Sequence, residues 1–465
     1  MFFELVYDKS LAQASYVIGC QAGGVAAVID PKRDVDTYLQ IAKANNMTIT
    51  HILETHIHAD FLSGSRELAA LTGAELYLSD EGDENWKYEF PHNKLKHGDT
   101  VKLGNLTFDV LHTPGHTPEH ISFLLTDKPA TADPVMLFTG DFVFVGDVGR
   151  PDLLEQAAGL KGTQDIGAAQ LFDSLNDFVK LEDYIQVWPG HGAGSACGKS
   201  LGAVPMTTVG YEKIRNWALQ LLNDKKAFAK ELLSGQPEPP KYFAMMKKLN
   251  KVDRKLMTEV PQVKKLDQQD YFKAKVEGHR IIDTRSPEAF ADGFLKGSIN
   301  ITNNNSFSTW MGWYINYEEF FVLVAEENQI EDLTRKLMRI GLDNILGFIT
   351  PSQLAEFEKG HLDSYQPIDK ETVESKLNTT DVQMIDVRGV SEFKNGHIEG
   401  AENLFVGKLM DNLDKVSKDK PVIVHCQSGG RAAIAYSVLR ANGFDNVANY
   451  AGGWVDWSKS VEVNH

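Results

Sequence analysis

A chain of 465 residues with a formal net charge of −17 at pH 7 is longer than one hydrophobic core organises, and at ordinary domain sizes it implies about three domains. The acidic surplus argues against nucleic acid and anionic membrane as partners, and it means that an anionic substrate needs local cations to overcome the overall field. A hydrophobic content of 42% with 24% charged residues is that of a soluble globular protein. No run approaches the ~18 apolar residues of a spanning helix, and Met-Phe-Phe-Glu-Leu-Val-Tyr-Asp has neither a basic start nor a secretory core. Cys20, Cys197 and Cys426 are too few and too far apart for a disulfide framework. A cytoplasmic location is expected.

Ser15 to Asp30 reads as two strands about the turn signal Gly23-Gly24, with Cys20 as packing. Val35 to Asn45 has helical spacing, Ile49 to Leu53 reads as a strand, and Ser65 to Thr72 as a helix ending at Gly73. Strands recur at Leu76, Val101, Phe108 to Leu111, Ile121 to Leu125 and Val135 to Phe138, and this alternation predicts a layered α/β sandwich. The strand at Leu53 runs into Glu54-Thr-His-Ile-His-Ala-Asp-Phe61, which places His56, His58 and Asp60 where a strand becomes a loop. His116, Asp141 and His191 each follow an apolar stretch and a glycine. Imidazoles and carboxylates delivered from several strand ends into one cleft are metal ligands in type.

Gly149-Arg-Pro-Asp152 lies between the last two of these. After His191, Ala193 to Ser200 fits a relaxed phosphate-loop pattern, but Leu201-Gly-Ala-Val-Pro205 is a poor helix start, so that reading is rejected. A loop carrying Cys197 and Lys199 toward the metal fits better, with Cys197 either bearing a persulfide or standing by as a spectator. Tyr211 to Leu233 has long helical periodicity, and Gly235-Gln-Pro-Glu-Pro-Pro240 closes a first domain at residue 240. Lys241 to Lys251 reads as a connecting helix with a solvated charged face.

The ordered set from Thr55 to His191 resembles the metallo-β-lactamase superfamily, whose pattern is His-x-His-x-Asp-His, then His, Asp and His. The resemblance covers roughly the first half of the chain. Phe61 stands where the two-metal hydrolases carry a second-metal histidine, so one metal is expected. Two histidines and one carboxylate with open positions suit non-haem Fe(II), and within the superfamily the chain resembles the persulfide dioxygenases. That resemblance implies one Fe(II) per chain on His56, His116 and Asp141, with His58, Asp60 and His191 as outer-shell groups or alternative ligands. Arg150, in a segment similar to the Gly-Arg-x-Asp of those enzymes, either clamps a substrate carboxylate or pairs with Asp152. Cys197 and Lys199 join Arg150 as candidate substrate-binding residues.

The remainder repeats itself with a period of 102 to 103 residues. Asp283, Arg285, Phe290, Gly293, Gly297 and Asn300 meet Asp386, Arg388, Phe393, Gly396, Gly400 and Asn403. Asp-Val-Arg, Gly-His-Ile-Glu-Gly-Ala and His-Cys-Gln-Ser-Gly-Gly-Arg-Ala resemble the rhodanese sulfurtransferases. The resemblance implies Cys426 as the sulfur-carrying nucleophile, Arg431 as a cation for sulfite or thiosulfate, and the turn Gln427, Ser428, Gly429 and Gly430 as an anion-holding nest of amides. In the first copy Val324 and Gln329 are read as standing at the cysteine and arginine positions, which makes residues 241–365 a degenerate copy and 366–465 the active one. The aromatic run with Trp310, Trp313, Tyr314 and Tyr317 is read as core or domain interface.

The fold class expected is thus α/β: a metallo-β-lactamase αββα sandwich followed by two rhodanese-like α/β domains. End to end the chain resembles fusions that oxidise a low-molecular-weight thiol persulfide with oxygen to sulfite and pass sulfur on to give thiosulfate, with a homo-oligomer possible. The alternative is a glyoxalase-II-like thioester hydrolase using zinc. A third reading is a sulfur-relaying carrier module, which an intact ligand set argues against.

Overall fold

The computed structural model describes residues 1–153, 155, 162–379 and 381–459. These divide into two compact units: residues 1–260 with 338–341, and residues 261–337 with 342–465. Among the described residues no helix is long and apolar enough to cross a membrane.

The first unit is built on two six-stranded sheets. One runs β1 (Phe2–Asp8), β2 (Gln13–Cys20), β3 (Val25–Ile29), β4 (Thr48–Leu53), β5 (Glu75–Ser79), β6 (Asn93–Leu95), antiparallel up to β3 and parallel beyond. The other runs β12-β11-β10-β9-β8-β7, from β7 (Thr100–Leu103), β8 (Leu106–His112), β9 (Ile121–Asp127) and β10 (Met136–Gly140) to β11 (Gln186–Pro189) and β12 (Thr207–Thr208). Side chains alternate across each strand. Ile18, Ala27 and Ile29 therefore meet Phe108, Phe123 and Phe138 between the sheets, while Val17, Ala26 and Val28 face Tyr38, Ala42 and Leu68 of the helices Asp36–Ala44 and Ser65–Thr72. Leu137 and Val187 pack outward on Leu171 and Leu175 of the helix Thr163–Phe178. The result is the expected four layers, with strands buried on both faces reading as continuous apolar runs.

Two stretches differ from the sequence reading. Tyr211 to Leu233 is three helices, Val209–Arg215, Trp217–Gln220 and Lys225–Leu232. Asn216 leaves the helical region and caps the second with its side chain, while its amide donates to Asp147 O and Glu212, and Asp224 caps the third. Local capping wins over periodicity there. Residues 241–260 belong to the first unit, not to a second domain, because the helix Phe243–Lys251 buries Phe243, Met246 and Asn250.

In the second unit the repeat is explicit. The sheet β15-β13-β16-β17 comprises β13 (Arg280–Asp283), β15 (Ile299–Asn300), β16 (Phe321–Val324) and β17 (Ile345–Ile349), with β14 (Phe294–Leu295) and β18 (Leu362–Asp363) paired separately. Its counterpart is β20-β19-β21-β22, from β19 (Gln383–Asp386), β20 (Glu402–Asn403), β21 (Val422–His425) and β22 (Val447–Tyr450). The repeated residues do the same structural work in each copy. Arg285 and Arg388 each fork onto the aspartate two residues before them and onto Gly293 O and Gly396 O, and Asn300 and Asn403 tie down the carbonyls of that same aspartate and arginine. Strand register corrects the alignment of the degenerate copy: Asp283 pairs with Val324 as Asp386 pairs with His425. Ala325, not Val324, therefore takes the place of Cys426, and counting onward Ile330, not Gln329, takes that of Arg431. The absence of a thiol there stands.

Candidate metal centre and cysteine loop

The metal-type side chains come together at the ends of β4, β10 and β11 and in the loop after β8. Gly140 has φ +47°, and a Cβ there would sit 2.4 Å from Thr55 Oγ1 and 2.8 Å from His120 Nε2. Only glycine lets β10 pass this close and deliver Asp141. The Asp141 carboxylate lies between two groups. Its Oδ2 is 3.9 Å from His56 Nε2 and 3.4 Å from His116 Nε2, and its Oδ1 is 3.4 Å from His191 Nε2, which is itself 3.2 Å from Asp60 Oδ2. Ligand atoms of His56, His116 and Asp141 lie within 4.8 Å of one another, and so do those of Asp60, His191 and Cys197.

Outer partners fix the ring orientations. His116 Nδ1 donates to Arg150 O at 2.9 Å and His191 Nδ1 to Ala12 O at 3.1 Å, which turns each Nε2 toward the cluster. His56 Nδ1 is 2.9 Å from Thr55 Oγ1, which donates to Asp30 at 2.8 Å, and Asp141 N donates to His120 Nε2 at 3.1 Å. Burial and the neighbouring imidazoles hold His56 well below its ordinary pKa, in the neutral, ligating form. His56 Nε2 and both Asp141 oxygens are buried without a hydrogen-bond partner among the described residues. Each such atom costs about 1–3 kcal/mol, and a divalent cation would satisfy all three. The residues present fit a metal.

Four further candidate residues, His58, Arg150, Lys199 and Cys197, have partners of their own. His58 turns to Asp30, 3.2 Å away, and packs against the buried Phe61 ring, tilted at 38° with centroids 4.3 Å apart. Burial lowers its pKa but Asp30 outweighs that, raising it to about 9. Arg150 is wholly buried, forks onto Asp152 at 2.7 and 2.6 Å, and spends Nη1 on Ala196 O and Pro237 O. Four of its five N–H donors are engaged in this way, and the Asp152 ion pair is the arrangement present. Lys199 points its ammonium at Glu231, 2.7 Å away, and over Trp217 at 4.6 Å. Cys197 is buried beside Asp60 and His191, and burial, ahead of Asp141 and Asp60, pushes its thiol up to about 12.

The helix read as a connector supports this centre. Asn250 donates to His58 O and Phe61 O at 2.8 Å each and accepts from Ser63 N at 2.9 Å, and Tyr242 donates to Asp60 O at 2.9 Å. Asn250→Ala strands three buried backbone groups, so a loss of about 3 kcal/mol is expected, read by denaturant unfolding, with weakened metal retention read by metal analysis of the folded variant.

In the second unit, Cys426 lies between β21 and the helix Gly430–Ala441. Its Sγ accepts from Gly429 N at 3.1 Å, and Trp454 N donates to Cys426 O. Gly429, at φ +96°, turns the chain so that this amide faces the sulfur. Arg431 forks onto Glu392 at 2.6 and 2.8 Å, and Arg388 Nη1 reaches Gln427 Oε1 at 3.2 Å. A cavity of about 360 Å³ over the sulfur is lined by Gln427, Ser428, Gly430 and Arg431 and, from the degenerate copy, by Asn304 and Trp310. Trp310 is thus part of a pocket wall, whereas Trp313, packed on Phe405 at 5.4 Å, and Tyr314, bonded to Val406 O, make the interface expected of that aromatic run.

Two family models match this chain: the metallo-beta-lactamase superfamily over residues 10–191 and the rhodanese-like domain over 268–348 and 369–460. A metallo-beta-lactamase structure from Staphylococcus aureus is 44% identical, covering 76% of this chain and 99% of that one with a TM-score of 0.68. The chain belongs to the metallo-beta-lactamase superfamily. Two rhodanese-like domains follow its metallo-beta-lactamase domain. A hydroxyacylglutathione hydrolase from Rhodospirillum rubrum is 35% identical over 176 residues, 38% of this chain and 60% of its own. The chain thus spans about 60% of the length of that curated relative. The structure of ETHE1 from Myxococcus xanthus is 30% identical, covering 51% of this chain and 93% of its own with a TM-score of 0.42.

Several residues of this superfamily member's centre escaped sequence reading. Asp30, Thr55, His120 and Asn250 act through hydrogen bonds to ligands or their loops. Asp30 ends a strand as the candidate ligands do and could have been suspected; Asn250, nearly 200 positions from His58, carries no local signal.

Proposed function

We propose that this chain is a non-haem iron persulfide dioxygenase coupled to a sulfurtransferase, and that its substrates are a low-molecular-weight thiol persulfide and oxygen. The observation that carries this reading is the three-ligand set His56, His116 and Asp141, with unpartnered atoms facing one point, next to a buried Phe61 in place of a further ligand. His56, His116 and Asp141 would hold one Fe(II). Bound there, iron would supply open positions and redox equivalents for oxidising the outer sulfur. Arg150 O, Thr55 and Asp30 hold the two imidazoles in their ligating orientation, and the buried Phe61 ring beside His58 helps keep the surroundings dry. In sum, persulfide, oxygen and water become thiol and sulfite.

Cys426 would then act as a nucleophile. Its thiolate takes the outer sulfur of a second persulfide and releases the thiol. Sulfite attacks that sulfur, the cysteine S–S bond breaks with its electron pair returning to Cys426, and thiosulfate leaves. The Gly429 amide supports the thiolate, and Arg431 presents a cation to the anionic partners while Glu392 tempers its charge.

A second reading, a zinc thioester hydrolase, is favoured by the hydroxyacylglutathione hydrolase relatives and by the second group Asp60, His191 and Cys197. One experiment separates the two: metal analysis of aerobically purified protein, with oxygen uptake on glutathione persulfide measured beside hydrolysis of a glutathione thioester. About one iron per chain and stoichiometric oxygen uptake are expected; two zinc ions with thioester turnover would establish the hydrolase instead.

A further inference from the structure

A cavity of about 1200 Å³ in the first unit has His116 on its wall and the helix Phe243–Lys251 along one side. Sites for small ligands run to about 300–1,000 Å³, so this one has room for far more than a sulfur atom on a short alkyl stem. Three lysines of that helix, Lys247, Lys248 and Lys251, line it, in a protein whose net charge is −17. They are not equivalent. Lys251 is engaged by Glu89 at 3.2 Å, and Lys248 is exposed at the rim. Lys247 is only partly exposed, sits 3.6 Å from the centroid of the Trp86 ring, and makes no ion pair or hydrogen bond among the described residues.

A partly desolvated ammonium held on an indole face and lacking a counter-ion is an anion receptor in waiting. The ring fixes its position, while desolvation lowers its pKa and raises the gain from meeting a negative group. Glu119 and Asp83 contribute some compensating field, without a salt bridge. The helix also holds the metal loop through Asn250, so the receptor and the centre are parts of one rigid arrangement.

We propose that Lys247, seated on Trp86, is the subsite that binds an anionic group of the thiol carrier, making a carboxylate- or phosphate-bearing thiol the substrate class. This rests on the persulfide reading of the centre. The anion lies at Lys247 while the carrier's sulfur reaches toward His116, and thiols without a remote anion lose that anchor.

The test compares persulfides of glutathione, which brings carboxylates, of coenzyme A, which brings phosphates, and of uncharged 2-mercaptoethanol, using the full iron-loaded chain. The wild type is expected to prefer one anionic carrier over the uncharged one, and which one it prefers identifies the anion. In Lys247→Gln that preference, as a ratio of kcat/KM values, falls about tenfold through KM, and Lys247→Arg restores most of it. An unchanged ratio in Lys247→Gln, with iron content and melting temperature as in wild type, overturns the proposal. If the wild type consumes oxygen with none of the three, the dioxygenase reading fails instead, and calorimetric binding of glutathione and coenzyme A to wild type and Lys247→Gln decides the anion subsite on its own: weaker binding in the variant supports it, equal or absent binding to both removes it.

Discussion

Replacing His116 by alanine is expected to reduce bound iron from about one per chain to background and to abolish oxygen uptake on persulfide, a loss of at least ~100-fold given that even outer partners of ligands cost 10–100-fold. The fold should survive. His116 lies in the loop after β8, its ring hydrogen-bonds only Arg150 O among the described residues, and the hydrophobic clusters on both faces of its sheet do not include it. Far-ultraviolet circular dichroism should therefore match wild type while metal analysis and an oxygen electrode do not. The variant also discriminates between the two groups that share Asp141. A metal held by Asp60, His191 and Cys197 would remain in His116→Ala and leave in Cys197→Ala, and that pattern would move the reaction centre to the other side of the carboxylate. Retained iron with full oxygen uptake would sink the His56–His116–Asp141 assignment.

What could be read from the chain follows the range of the interactions involved. Candidate ligands at strand ends were legible because a buried strand running into polar residues is a local pattern: Leu53 to His56, and with an intervening glycine Gly140-Asp141 and Gly190-His191, all bring side chains together. The sandwich itself was legible for the same reason, since alternate residues such as Val17 and Ile18 supply opposite layers. Contacts between distant segments were not. The lysine-rich stretch at 241–251 reads as a solvated connector until Asn250 is seen holding the loop of His58 and Phe61. Lys199 reads as a substrate cation, and Arg150 as either that or a partner of Asp152, because Glu231, Ala196 O and Pro237 O lie 32 to 87 residues away. In the repeat, matched residues mark the Asp–Arg–Asn scaffold common to both copies, so they locate the fold well and the chemistry poorly. The one-residue slip between Val324 and Ala325 needed strand pairing to detect.

Cys426→Ser is expected to change the product and spare the first step. The wild-type chain, given persulfide and oxygen, should yield largely thiosulfate if Cys426 supplies the second sulfur. Serine is smaller than cysteine and keeps an acceptor for Gly429 N, so the turn Gln427 to Gly430, the Glu392–Arg431 pair and the cavity of about 360 Å³ should persist. What disappears is a nucleophile able to carry sulfur, because an alkoxide is not populated at neutral pH as a thiolate is. The proposed iron ligands belong to the first unit and Cys426 to the second, so oxygen uptake should stay near wild type while sulfite replaces thiosulfate, as read by chromatography of thiol-reactive derivatives. The degenerate copy cannot substitute, having Ala325 at the equivalent place. Cys197 lies in the first unit, buried beside Asp60 and His191. Undiminished thiosulfate in Cys426→Ser would therefore show that sulfite acquires its second sulfur directly from the persulfide. Lost oxygen uptake would mean that the persulfide reaches the metal centre only by way of Cys426, which reverses the order of the two reactions.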